Sequence, residues 1–174
     1  ESLPWFNKLD IDIVKIASCL SDDWPLLREV SKIDRRIIIS TAGIGFETLD
    51  KVYSLFKKES RDFSLMHCVG EYPTPVEHSN LQRIKNMMER YEDVPVGIST
   101  HESPNQKSIV PYAVAMGCKI IEKHVGFETN EISLNAYSCR PEDMQKVIDE
   151  VKFVLNATEG SSDKEKKALR SLKR

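Results

Sequence analysis

Five short apolar runs, separated by stretches of helical periodicity, constrain this chain most. The runs are "DIVKIAS" (12–18), "RIIIST" (36–41), "FSLMHCV" (63–69), "VPVGIST" (94–100) and "CKIIEKHV" (118–125). Each is rich in β-branched residues and nearly continuous in apolar ones, the pattern of a strand buried on both faces, as in a parallel sheet. Between them, helices are predicted over 22–33, 46–59, 80–91, 105–117 and 141–156. Asp caps and Pro25 open the first. Leu49, Val52 and Phe56 repeat on one face of the second, beside Tyr53. Pro111 argues for a break or a late start in the fourth, and Gly117 for its stop. The fifth opens on Pro141 with two acids and stripes Met144, Val147, Ile148, Val151 and Val154.

The order is thus βα repeated, with strand starts roughly 22 to 32 residues apart, the spacing of right-handed crossovers. Two parallel folds answer to it, a doubly wound sheet and a (βα)8 barrel. No GxGxxG follows the first strand, which weakens a dinucleotide fold. A complete barrel takes about 250 residues, so we expect a partial TIM-type barrel of about five βα units over 1–158. After Asn156 the chain turns polar and charged, and 159–174 reads as a linker.

Composition narrows the function classes. The 174 residues carry a net charge of −2, with 40% hydrophobic and 30% charged residues. That balance offers neither a nucleic-acid nor a membrane surface, and no apolar run approaches the roughly 18 residues of a membrane span. "ESLPWFNKLD" lacks the basic start and apolar middle of a signal peptide. Cys19, Cys68, Cys118 and Cys139 form no CxxC, and we expect reduced, buried thiols in a cytoplasmic protein, with a zinc site or a disulfide framework as the lesser alternative.

In either parallel fold, ligands bind at the carboxyl ends of the strands, and the residues there are polar in every run. They include Lys15 and Ser18; Ser40 and Thr41; His67, then Glu71 and Tyr72; Ser99 to Glu102; and Glu122 to His124. His101 and His124 end consecutive strands, and neighbouring strands lie about 4.8 Å apart. The two imidazoles can therefore converge as metal ligands or serve as hydrogen-bonded rim residues. His67 fits a hydrogen-bonded interior position and His78 a solvated loop. Lys15 is mid-strand, where a lysine is costly without a partner. It suits a Schiff-base amine, an anchor for phosphate or carboxylate or a structural ion pair. Lys123 faces away from His124 by the period of two and suits a structural partner for an acid.

The segments "KIAS", "IIISTAG", "LMHCVGEYPTP", "VGISTHE", "GCKIIEKHVGF" and "LNAYSCRPEDM" resemble, in order, the catalytic barrel of the sialic acid (N-acetylneuraminate) synthase family, from about residue 10 to 156. By this resemblance the chain is the C-terminal part of that barrel, without three N-terminal βα units. The 159–174 linker would lead toward an absent C-terminal antifreeze-like domain. The reaction implied joins phosphoenolpyruvate to an open-chain N-acetylated amino sugar, with a divalent metal (Mn or Mg) as cofactor and phosphate as leaving group. The family's metal-binding histidines fall on His101 and His124. Its phosphate- and carboxylate-binding positions fall on Lys15, Ser18, Ser40 and Ser99, and a tyrosine lining its sugar site falls on Tyr72. Lys15, Tyr72, His101 and His124 are then the expected catalytic set. The resemblance also implies a homodimer for the full-length protein. Leu20 and Gly70 stand where the family commonly has Glu and Asn. Glu71 is then expected to take over some contacts beside Gly70, and Asn135 to stand for a sugar-binding Asp. These departures leave the acceptor open to other nonulosonic-acid precursors. The competing readings are a keto-acid aldolase with Lys15 as Schiff base, and a structural barrel piece, inactive and self-associating on its own.

Overall fold

The computed structural model describes Trp5, Lys8, Leu9 and residues 11–158; the expected linker, 159–174, lies outside the described residues. Five strands form one sheet: β1 (Ile13–Ile16), β2 (Arg36–Ser40), β3 (Phe63–Cys68), β4 (Val96–Thr100) and β5 (Ile120–Lys123). They follow one another in chain order, and every neighbouring pair is parallel. The helices are α1 (Trp24–Val30), α2 (Phe46–Lys58), α3 (Gln82–Arg90), α4 (Val110–Ala115) and α5 (Pro141–Thr158).

A strand order without reversal is that of a barrel wall, not of a doubly wound sheet. The curvature is visible in one contact. Lys15 Nζ on β1 lies 3.3 Å from Glu122 Oε2 on β5. In a flat sheet those outermost strands would stand about 19 Å apart, four spacings of about 4.8 Å, beyond the reach of the two side chains. The sheet is a trough, an open half of a (βα)8 barrel.

Its convex face carries the core. Ile37 and Ile39, Phe63 and Leu65, and Val96 and Ile98 point outward and pack under Leu27 and Val30 of α1, Leu49, Val52 and Phe56 of α2, and Ile84 and Met87 of α3. Each such side chain contributes roughly 1.5–3 kcal/mol by leaving water. α5 packs on α4 through Val110, Val114 and Val147, flanked by Val151 and Val154.

Capping and breaking residues act where the sequence places them. The Asp23 carboxylate caps α1, accepting from the Leu26 amide at 3.1 Å. α4 is shorter than expected and starts only at Val110, with Pro111 in its first turn, where the missing N–H has no helical partner to lose. Gly117 follows α4 at φ +110, a conformation that favours glycine. On the concave face Gly97 meets β5 so closely that a Cβ there would lie 2.7 Å from both Cβ and O of Ile120. Of the cysteines, Cys68, Cys118 and Cys139 are buried as expected, but Cys19 is exposed on the turn after β1. No helix among the described residues is long and apolar enough to cross a membrane.

Candidate functional site

Strand register assembles a polar row on the concave face. Lys15 pairs with Ile38, and Ser40, two residues on, pairs with Met66. Cys68 pairs with Ser99, and Ser99 with Glu122. Alternation along each strand then places Lys15, Ser40, Cys68, Ser99 and Glu122 on the same side. His101 and His124 are two residues beyond Ser99 and Glu122. Both lie one residue past their strands rather than within them.

Glu122 is the hub of this row. One carboxylate oxygen faces the Lys15 ammonium at 3.3 Å, and the other accepts from Ser99 Oγ at 2.8 Å. Above it the His101 and His124 rings sit 5.2 Å apart. Tyr72 packs on His101 with ring centroids at 4.4 Å, and Tyr137 stands edge-on to His124 at 5.0 Å. The Cys68 thiol lies 4.0 Å from His101 Nδ1. Ser18 Oγ accepts from the Ala42 amide at 3.1 Å at the β1 end. Ser40 Oγ is buried without a hydrogen-bond partner, a donor aimed at the concave side of β2.

The two histidines differ in setting. His101 is buried, and that burial, reinforced by His124, holds its imidazole below the usual histidine range, although the Val69 backbone hydrogen-bonds the ring. His124 is exposed. A neutral, backbone-oriented imidazole beside an open one suits a metal ion. Among the described residues no three His, Cys, Asp or Glu side chains gather closely enough to hold an ion alone. The residues therefore fit an open site in which two imidazoles leave the other positions to substrate and water.

Not every expected residue meets this cluster. The Glu71 carboxylate is turned to His78 Nδ1, 2.8 Å away, on the exposed surface. The Asn135 carboxamide oxygen accepts from the Tyr137 and Ser138 amides at 3.2 and 2.8 Å. It shapes the turn that presents Tyr137 and does not itself reach the histidines. His67 and Lys123 stand where the sequence put them. His67 Nε2 meets the Ser79 carbonyl oxygen at 2.8 Å, inside the convex core. Lys123 faces away from His124 and lies 3.0 Å from Glu102.

Two members had no role assigned from sequence. Glu122 stands there only as one of the polar strand ends, two residues before His124 and on its face. Tyr137 lies in an irregular loop where no periodicity announces a facing.

Comparison with known proteins points to one family. The structure superposes on a spore coat polysaccharide biosynthesis protein E from Chromobacterium violaceum with a TM-score of 0.89 and 39% identity, covering 98% of this chain and 52% of that one. Pseudaminic acid synthase of Campylobacter jejuni is 29% identical over 174 residues, with 98% of this chain and 50% of the relative aligned. N-acetylneuraminate-9-phosphate synthase of Mus musculus is 27% identical over 157 residues, 90% of this chain and 43% of its own length. The chain thus spans about half the length of the curated relatives it matches. Residues 1–164 match one family over nearly the whole chain, and the chain belongs to the NeuB family.

Proposed function

We propose that this chain supplies the phosphate-binding and metal-binding half of an enzyme that condenses phosphoenolpyruvate with an N-acetylated amino sugar to give a sialic acid-like nonulosonic acid. The observation that carries the reading is the row Lys15–Glu122–Ser99 directly beneath the facing rings of His101 and His124. Synthases of pseudaminic and N-acetylneuraminic acid type among the relatives support it.

The reaction forms a C–C bond between the methylene carbon of phosphoenolpyruvate and the sugar aldehyde carbon. The aldehyde oxygen takes up a proton and becomes a hydroxyl. Water adds to the former enol carbon, and the C–O bond to phosphate breaks, leaving a keto acid and inorganic phosphate. A divalent ion held by His101 and His124 would supply Lewis-acid polarisation of the aldehyde oxygen.

The rest falls to the chain's own side chains. Lys15 offers a half-buried ammonium to phosphate or carboxylate, and the hydroxyls of Ser18, Ser40 and Ser99 offer hydrogen bonds beside it. Glu122 keeps Lys15 aimed across the trough until the anion arrives. Tyr72 and Tyr137 wall the histidine side of the mouth.

The test is phosphate release from phosphoenolpyruvate by the full-length protein, with and without an N-acetylated aldose. Release that needs the acceptor, and falls by at least about 10²-fold in Lys15→Ala and in His124→Ala, is expected. Release indifferent to the acceptor overturns the reading. A borohydride-trapped keto-acid adduct on Lys15 would replace it with a Schiff-base aldolase.

A further inference from the structure

The concave site has a counterpart on the opposite face of the same two strands. Glu102 and Lys123 face the helices, with Glu102 Oε1 3.0 Å from Lys123 Nζ and side chains only 1% and 3% exposed. Ser108 Oγ donates to the same carboxylate oxygen at 2.9 Å. Burial is the largest influence and works against ionising Glu102, but the Lys123 ammonium, a backbone amide and the Ser108 hydroxyl together hold the carboxyl below its usual range.

Such a pair is a poor device for stability. Desolvating two charges offsets most of their attraction, and apolar side chains of similar volume do the packing at least as well. Its placement suggests another use. The β4–β5 ladder ends at Thr100 and Lys123, so His101 and His124 stand just beyond the last paired residues. The backbone carbonyl of each is tied to a different loop: His101 O accepts from the Thr74 amide at 2.9 Å, and His124 O from the Cys139 amide at 3.0 Å. Those bonds fix each histidine to its own loop but not to the other. Glu102 adjoins His101 in the chain, and Lys123 adjoins His124. The ion pair spans the two segments at that level.

We propose that Glu102 and Lys123 are positioning residues, a buried strut on the convex face that sets the separation of the His101 and His124 rings on the concave face. The proposal rests on reading the histidine pair as a metal site only for its functional consequence. The geometric claim stands without a metal.

The test therefore has a metal-free readout, the nuclear Overhauser effect between the His101 and His124 ring protons in the full chain, alongside Mn²⁺ affinity. Glu102→Met/Lys123→Met removes the strut without stranding a charge. It is expected to fold, to lose the inter-ring effect and to weaken Mn²⁺ binding by about tenfold or more, the size seen for residues behind metal ligands. Lys123→Arg retains the pair and is expected to keep both signals. Glu102→Gln keeps the volume and is expected to weaken the inter-ring effect, which decides the matter if the double variant does not fold. An undiminished effect in either folded variant overturns the proposal. If the unmutated chain shows the inter-ring effect and its dependence on the strut but binds no Mn²⁺, the metal reading fails and the positioning role stands. If Mn²⁺ binds and the inter-ring effect is indifferent to the strut, the positioning role fails and the metal reading stands.

Discussion

Lys15 is a cation with two prospective partners. In the structure it faces Glu122, and a substrate anion would take that place or share it. Removing Glu122 should then damage orientation more than charge. Glu122→Gln keeps the Ser99 contact possible and leaves Lys15 without its carboxylate, so the expected result is a loss of about 10²-fold in turnover with a smaller change in apparent phosphoenolpyruvate affinity. Steady-state phosphate release separates the two parameters. His67 makes a different residue-scale prediction. Its imidazole is pushed below the usual range by burial, partly opposed by the Ser79 backbone. The unfolded chain therefore takes up a proton at about pH 6.5 while the folded chain resists it. Stability contributed by neutral His67 is complete above that pH and declines as pH falls below it, by up to about 1.4 kcal/mol per unit. Urea unfolding from pH 7 to 5 should show that slope, and His67→Asn should flatten it.

The elements divide between those that hold the sheet and those that present the site. α2 belongs to the first group. Phe56 is fully buried and packs on Phe63 with ring centroids 5.5 Å apart, and Phe56→Ala should cost about 3–5 kcal/mol in chemical unfolding. β4 belongs to both. Gly97→Ala would place a methyl against the Ile120 backbone, so β4 and β5 must move apart at the foot of the histidine pair. A stability loss of about 1–3 kcal/mol is expected, with weaker Mn²⁺ binding in titration as the accompanying sign. Strands and helices of this kind were legible because burial writes itself into composition and period. The β1, β2 and β3 runs, the α2 stripe and the stop at Gly117 all stand close to where the pattern puts them. α4 began late because Pro111 fits a first turn and no other. Glu71 and Asn135 lie in loops, where partners such as His78 or a neighbouring amide decide the facing and leave no periodic trace. Tyr137 escaped notice for the same reason.

At the scale of the molecule, the described residues form a trough with two unpaired rims. β1 and β5 each have a neighbour on one side only within the described sheet, and a row of free amides and carbonyls is a template for further strands. Ile13 is 45% exposed on that open side, adding an apolar reason for association. The 174-residue chain by itself is expected to self-associate, and a monodisperse monomer in sedimentation would count against that. The division of faces has a consequence for how such a chain can change over generations. Residues 97–102 and 120–124 alternate between two incompatible duties, acid–base groups toward the trough and a dry ion pair toward the helices. Substitution can alter one duty and spare the other. Loss or gain of a single codon cannot, because every later side chain would swap sides at once, carrying Lys123 into the mouth and an imidazole into the packed layer. Natural variation in length should be barred from these two stretches and be free to collect in the loop after Val125, ahead of the Asn135 turn that presents Tyr137.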